Sequence, residues 1–101
     1  MAAREFAWRV PADHPALPGH FPGRPIVPGV VLVDRAILYA TTLLAGHAGR
    51  WQIGNAKFLS PVGPGETLIF ALETKASGSI AFRVRAGERD VASGSLTPGD
   101  A

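Results

Sequence analysis

The chain has 101 residues, of which 47% are hydrophobic and 18% charged, and this balance excludes intrinsic disorder. Its formal net charge is +2, and the ten basic residues are scattered, without a run that interleaves with aromatic side chains, which argues against nucleic-acid binding. The absence of cysteine excludes disulfides, thiol catalysis and thiolate metal sites. The length predicts a single domain over residues 1–101 with a limited apolar core.

The first predicted element is a strand over Glu5–Val10, because alternate apolar residues lie on one face. Residues 11–28 hold six of the nine prolines and are predicted to form an ordered, irregular connection, since so long a segment inside a compact domain is usually functional. Its second half, Gly19–Gly29, is expected to be stiff because prolines at three positions fix φ. It carries a single ionisable ring, His20.

A helix is predicted over Val30–Ala45, a run without proline or glycine that Gly46 is expected to close. It is apolar on all sides, which predicts a buried helix, and it is too short to span a membrane. Asp34 is therefore expected among apolar neighbours, where an unpaired carboxylate is costly. It lies too deep in the helix to be a cap, whereas an ion pair with Arg35 or Arg24 is an open alternative.

Four strands are predicted after the helix. The first covers Trp51–Leu59 and contains a bulge at Gly54, because the apolar residues change face there. A turn at Pro61–Gly65 leads to a hairpin around Ser77-Gly78, whose arms are Glu66–Ala76 and Ser79–Ala86. The last strand, Arg89–Leu96, is weakly patterned and is interpreted as an edge strand followed by a frayed tail at 97–101.

One motif resembles a known family. His20-Phe-Pro-Gly-x-Pro-x-x-Pro-Gly29, followed by Asp34, is similar to the motif of the β-hydroxyacyl-acyl carrier protein dehydratases of bacterial fatty-acid synthesis. A second stretch, Phe58–Glu66, is similar to that family's Phe-x-x-Pro-Val-x-Pro-Gly-Asp turn. The resemblance covers about residues 5–75 and implies an α+β hotdog fold, in which an antiparallel sheet wraps around one central buried helix.

The resemblance also implies a chemistry, the dehydration of a β-hydroxyacyl thioester. His20 would be the base for the α-proton, Asp34 the acid for the departing hydroxyl or the holder of the water, and the Gly29 N–H the donor to the thioester carbonyl. Phe21, Pro28 and Leu38 are candidates for the substrate tunnel. The implied partner is an acyl carrier protein, and no metal or redox cofactor is required.

Two positions depart from the family, which also has longer chains. Leu38 stands where the family usually has a glutamine that helps to orient the acid and the water. At position 34 the chain has aspartate rather than glutamate, and aspartate is the choice of the isomerising branch of the family, although one residue does not establish isomerisation. Short versions of this domain also occur in polyketide and aryl-polyene pigment pathways, so the acyl chain and pathway stay open.

Other interpretations of the same residues also stay open. His20 could be a loop histidine bonded to a carbonyl, and Gly29 could be only a tight entry to the helix. Two other functions compete. One is a hotdog thioesterase in which Asp34 activates water, and the other is a non-catalytic subunit that binds acyl carrier protein or completes the site of another hotdog protein. His14 and His47 are assigned to solvent, and His14, His20 and Asp13 make only a weak metal site, so none is predicted.

Assembly and location are predicted from the same patterns. A buried helix covered by the sheet on one side needs cover on the other, which predicts a homodimer that buries one side of the helix and the strand at Trp51–Leu59. The N-terminus lacks the apolar segment of a signal peptide, so we expect a cytoplasmic protein without a membrane partner.

Overall fold

The computed structural model describes residues 3–13, 26–44 and 49–99. Their secondary structure consists of β1 (Ala3–Arg9), α1 (Gly29–Leu43), β2 (Trp51–Phe58), β3 (Thr67–Thr74), β4 (Ile80–Ala86) and β5 (Arg89–Pro98). The strands form one antiparallel sheet in the order β1-β3-β4-β5-β2, and α1 contacts β3 and β5 on one face of it. The predicted α+β class and the order of one strand, one helix and four strands are confirmed.

The core lies between α1 and the middle strands. Alternate residues of the hairpin point into it, so Phe70 on β3 and its neighbour Val84 on β4 are both fully buried. Complete burial of a side chain of this size contributes about 1.5–3 kcal/mol. The helix adds the buried residues Leu32, Val33, Ala36, Tyr39 and Ala40.

The predicted hairpin between β3 and β4 is confirmed. It turns at Gly78, whose φ of 94° lies in the left-handed region that glycine adopts without a Cβ clash. Its second arm buries Ile80 and Val84, as the alternation predicts, whereas Arg83 is exposed and pairs with Asp90 across to β5.

The bulge predicted in β2 is also confirmed. The pairing of β2 with β5 shifts between Gly54 and Lys57, and Asn55 at this point has a positive φ of 51°. Asparagine tolerates this conformation better than most residues, because its short polar side chain bonds locally. The extra residue returns Phe58 to the helix side of the sheet, opposite Ala92.

The assignment of β5 to an edge is wrong. It pairs with β4 on one side and β2 on the other, and it continues to Pro98, so residues 97 and 98 are not a frayed tail. The small residue Gly94, which weakens the strand pattern of β5 in the sequence, is needed for close packing between strands. A Cβ on Gly94 would lie 2.8 Å from the buried ring of Phe82 and 3.2 Å from the backbone of Ala56. The sheet edges are β1 and β2.

The bounds of the helix differ slightly from the predicted Val30–Ala45. It begins at Gly29 and ends at Leu43, with the Leu44 N–H bonded to the Ala40 carbonyl, and the predicted cap Gly46 lies outside the described residues. In the single chain the stripe formed by Val30, Asp34 and Leu38 is exposed, and the predicted second subunit would cover this side of the helix. No helix in the described ranges is long and apolar enough to cross a bilayer.

Candidate functional site

The start of α1 presents backbone donors to the surface. Pro28 precedes the helix in an extended conformation and provides no side-chain cap. Its carbonyl accepts the Val31 N–H at 3.0 Å, but the Gly29 N–H has no acceptor among the described residues. The first N–H groups carry the positive end of the helix dipole. The Gly29 N–H can therefore donate to the carbonyl oxygen of a ligand.

An apolar groove of about 520 Å³ lies beside this donor. Pro28 and Gly29 form part of it, and Val30, Phe58 and Leu59 line it with side chains that are more than half exposed. The Phe58 ring packs against the helix start, since a Cβ on Gly29 would lie 2.8 Å from two of its ring atoms. The absence of a side chain at residue 29 thus leaves room for the Phe58 ring beside the helix start.

The helix start is attached to the turn that follows β2. The Val27 N–H donates to the carbonyl of the buried Val62 at 2.8 Å. Within the turn, Glu66 accepts the Gly63 N–H at 2.8 Å and a guanidinium N–H of Arg89 at 2.7 Å. The hydrogen bond from Gly63 lowers the pKa of the Glu66 carboxyl from its ordinary value of 4.5, partial burial opposes this, and Arg89 lowers the pKa further.

Asp34 lies in a second, smaller depression of about 210 Å³, together with Trp8, Val31, Arg35 and Leu38. The sequence predicts apolar surroundings for this carboxylate in a dimer, whereas in the single chain the Asp34 side chain is exposed. The physical reason is that the sheet covers only the opposite side of α1. Leu38, the tunnel candidate one turn further on, is half-exposed beside Asp34 and offers it no hydrogen-bonding group.

Arg35 is held away from Asp34 by two aromatic rings. Its guanidinium carbon lies 4.7 Å from the Trp8 ring centroid and 5.4 Å from that of Tyr39, and its Nε donates to the Tyr39 hydroxyl at 3.2 Å. Asp34 forms no ion pair within the described part of the chain, so its alternative pairing with Arg35 is not observed. The i, i+4 spacing of Arg35 and Tyr39 was a signal for this contact that the sequence interpretation missed.

The single chain brings the predicted site residues into two groups. Pro28 and Gly29 share the groove, whereas Asp34 and Leu38 share the depression, about 7.5 Å further along the helix axis at a rise of 1.5 Å per residue. Val30 lines the groove and Val31 the depression. The candidates His20 and Phe21, and also His14, His47 and Arg24, lie outside the described residues. Among the residues described, no three His, Asp or Glu side chains are grouped to hold a metal.

Comparison with known proteins identifies the family. The model of the ApeI-like family, described as ApeI dehydratase, matches residues 2–95. The chain belongs to the ApeI-like dehydratase family. The resemblance to β-hydroxyacyl-acyl carrier protein dehydratases is thereby confirmed, and a curated relative agrees with it. The 3-hydroxyacyl-[acyl-carrier-protein] dehydratase FabZ of Gluconacetobacter diazotrophicus is 36% identical over 77 residues, which are 67% of this chain and 48% of that protein.

Solved structures confirm the hotdog fold of this ApeI-like chain. The dehydratase heterocomplex ApeI:P from Xenorhabdus doucetiae superposes with a TM-score of 0.83 at 27% identity, over 94% of this chain and 85% of the other. A variant of the fluoroacetyl-CoA-specific thioesterase FlK has a TM-score of 0.74 over 94% and 82% of the two chains, but at 13% identity it shows the fold alone. The chain spans about half the length of the curated relatives it matches.

Proposed function

We propose that this chain dehydrates a β-hydroxyacyl thioester, carried on an acyl carrier protein, to the trans-2-enoyl thioester. The observation that carries the proposal is the Gly29 N–H, which has no acceptor among the described residues and lies beside an apolar groove, at the end of the motif that resembles the dehydratases. A thioester carbonyl that accepts this N–H would place its acyl chain against Pro28 and Phe58. Family membership supports the same reaction class.

The proposed reaction needs three groups. His20 takes the α-proton as base, and the negative charge that develops on the thioester oxygen is stabilised by the Gly29 N–H. Asp34 gives a proton to the β-hydroxyl, so that the C–O bond breaks and one water leaves. The α-proton removed and the proton donated balance, and no electron acceptor or metal is required.

The proposed site forms between two subunits. Asp34 does not line the Gly29 groove of its own chain, so a second chain has to supply the acid. Exposed apolar side chains on the helix stripe and on the edge strand β2, which include Val30, Ile53 and Phe58, give a surface on which a second hotdog chain can pack. Burial of the stripe would then bring Asp34 into apolar surroundings.

The second chain is either a copy of this one or a different hotdog protein. We favour the homodimer, because β2 carries exposed apolar residues at one edge of the sheet that the described strands form. The similar ApeI structure is a heterocomplex, which favours as second candidate a chain that completes the site of a different partner. The exposed aspartate also keeps the thioesterase alternative open. A cytoplasmic location remains a prediction from the sequence.

The deciding experiment offers the purified chain a β-hydroxyacyl thioester of acyl carrier protein. Dehydration gives an enoyl thioester that absorbs in the ultraviolet, whereas hydrolysis gives a free thiol. His20→Ala should remove most of the enoyl product, and His14→Ala, the matched change in the same connection, should leave it. Free thiol without enoyl product would favour the thioesterase, and neither product would favour the non-catalytic subunit.

A further inference from the structure

The Pro61–Glu66 turn and Arg89 form a hydrogen-bonded unit next to the helix start. One Glu66 carboxylate oxygen accepts the Gly63 N–H at 2.8 Å and the other accepts Arg89 Nη2 at 2.7 Å. The same Arg89 nitrogen donates to the Pro61 carbonyl at 3.2 Å. The carboxylate and the guanidinium thus close the turn from both ends. We call this unit the Glu66–Arg89 brace.

The brace is attached to β1 and to the core. The Glu66 carbonyl accepts the Val10 N–H at 2.9 Å, and the Gly65 N–H donates to the Val10 carbonyl at 2.8 Å. Val10 and Val62 are both buried, so the turn cannot shift without disturbing the core. Its position is therefore fixed relative to the sheet.

Among the residues that the structure describes, one backbone hydrogen bond joins the other side of the turn to the segment just before the helix. The Val62 carbonyl accepts the Val27 N–H at 2.8 Å, two residues before Gly29. Pro28, which lies between them, has a fixed φ and no N–H of its own, so a displacement at Val27 is transmitted to Gly29. Since Pro28 provides no side-chain cap, this bond is the contact through which the turn orients the Gly29 N–H.

We propose that Glu66 and Arg89 are positioning residues for the reaction: they hold the Pro61–Glu66 turn so that Val62 fixes the direction of the Gly29 N–H toward the thioester oxygen. The inference rests on the proposed function, because it assigns a role relative to that substrate. Neither residue lines the groove. Loss of the brace should therefore affect charge stabilisation in the transition state more than substrate binding.

The test compares Glu66→Gln with Glu73→Gln. Both remove a carboxylate that pairs with a cation, but Glu73 pairs with Lys75, an exposed residue just after β3 that belongs to the other end of the strand from the turn. We expect Glu66→Gln to lower kcat about tenfold with little change in KM, since small displacements of a catalytic donor are costly. Glu66→Asp, which matches the acid at the end of the family's turn, should recover part of the loss. Glu73→Gln should keep the wild-type kcat.

A second measurement separates positioning from general stability. Amide hydrogen exchange of Val27 should become faster in Glu66→Gln and in Arg89→Leu, because the bond to Val62 opens more often. Arg83→Leu, which removes the exposed pair with Asp90, is the control and should leave Val27 unchanged. Unchanged kcat and unchanged Val27 exchange in Glu66→Gln would overturn the inference. An equal fall in stability and activity that Glu66→Asp does not relieve would also overturn it.

The same experiments distinguish this inference from the proposed function. If the wild-type chain gives no enoyl product, the dehydratase proposal fails. The exchange of Val27 then still decides whether the brace holds the helix start. Turnover in the wild type with an unaffected Glu66→Gln would instead leave the function standing and reject the brace.

Discussion

The ring of Phe58 lies against Gly29, so that a Cβ at residue 29 would come within 2.8 Å of two ring atoms. This contact joins the end of β2 to the start of α1, and it forms one wall of the groove. Phe58 is 53% exposed, so its ring can move away at a modest cost. A substitution at Gly29 will therefore act on the shape of the groove more than on the stability of the fold.

The first prediction follows for Gly29→Ala. The methyl group pushes the Phe58 ring into the groove and partly covers the N–H, so we expect kcat/KM to fall about tenfold or more. Stability should change by no more than about 1 kcal/mol, because the better helix propensity of alanine offsets the strain. Turnover and the free energy of unfolding measure the two effects.

A double variant supplies the control for this prediction. Phe58→Ala removes the ring that the new methyl group would meet. Gly29→Ala should therefore cost less activity when it is added to the Phe58→Ala variant than when it is added to the wild type. Equal losses in both backgrounds would show that the contact between the two residues is not the cause.

The second prediction concerns Glu66 and pH. The pKa of its carboxyl is lowered in the folded chain, first by the Gly63 N–H and also by Arg89, so below pH 4.5 the unfolded chain binds a proton that the folded chain does not. This contribution to the free energy of unfolding is complete above pH 4.5 and is lost as pH falls through the lowered pKa. Glu66→Gln should therefore weaken the dependence of stability on pH below 4.5.

Chemical denaturation between pH 3 and pH 7 measures this effect. Glu73→Gln is the control, because the pKa of Glu73 is also lowered, by the hydrogen bond from Lys75, yet this pair is exposed on the sheet and exposed pairs contribute little. A pH dependence in Glu66→Gln equal to that of the wild type would contradict the prediction.

Much of the fold could be predicted from local signals. The glycine at residue 78 and the alternation in β4 were sufficient for the hairpin, and the change of face around Gly54 was sufficient for the bulge. Both depend on residues close together in the chain. The place of β5 inside the sheet could not be predicted. Its Gly94 makes the strand look weak, but a side chain there would clash with Phe82 and Ala56, which belong to other strands.

Part of the site could be predicted because its residues are close together in the chain. The motif and its spacing indicated Gly29 and Asp34, since a helix carries both. Two other contacts depend on tertiary structure: the hydrogen bond from Val27 to Val62 and the packing of Phe58 on Gly29. The periodic patterns of a sequence do not predict such contacts between distant residues. The sequence pattern shows that the helix is apolar on all sides, but it does not show which side the sheet covers, so the exposure of Asp34 in the single chain could not be predicted from it.

The third prediction tests the proposed interface. Ile53 lies on the edge strand β2, opposite the buried Leu96, and half of its side chain is exposed. Ile53→Glu puts a charge into the apolar surface of both subunits, so we expect the dissociation constant of the dimer to rise about tenfold or more. Sedimentation velocity over a concentration series measures it.

Gln52→Glu is the matched change for the interface, because it adds the same charge to the same strand on the opposite face of the sheet. It should leave the dissociation constant within about twofold of the wild type, well below the tenfold step that corresponds to 1.4 kcal/mol. A wild-type chain that sediments as a stable monomer at micromolar concentration would reject the homodimer and favour a different partner chain.

The fourth prediction concerns Asp34, the proposed acid. Asp34→Asn keeps the shape of the side chain but cannot donate the same proton, so we expect kcat to fall by about 100- to 10,000-fold. Because Asp34 is exposed in the single chain and forms no ion pair within the described residues, the free energy of unfolding of the monomer should stay within about 0.5 kcal/mol. In a dimer that covers Asp34, the neutral amide is easier to bury than a carboxylate, so the assembly should be no weaker.

The control for this prediction is Asp90→Asn, because Asp90 is an exposed aspartate paired with Arg83, and this variant should retain activity. A large loss of stability in Asp34→Asn would identify Asp34 as a structural residue and leave the proposed reaction without its acid.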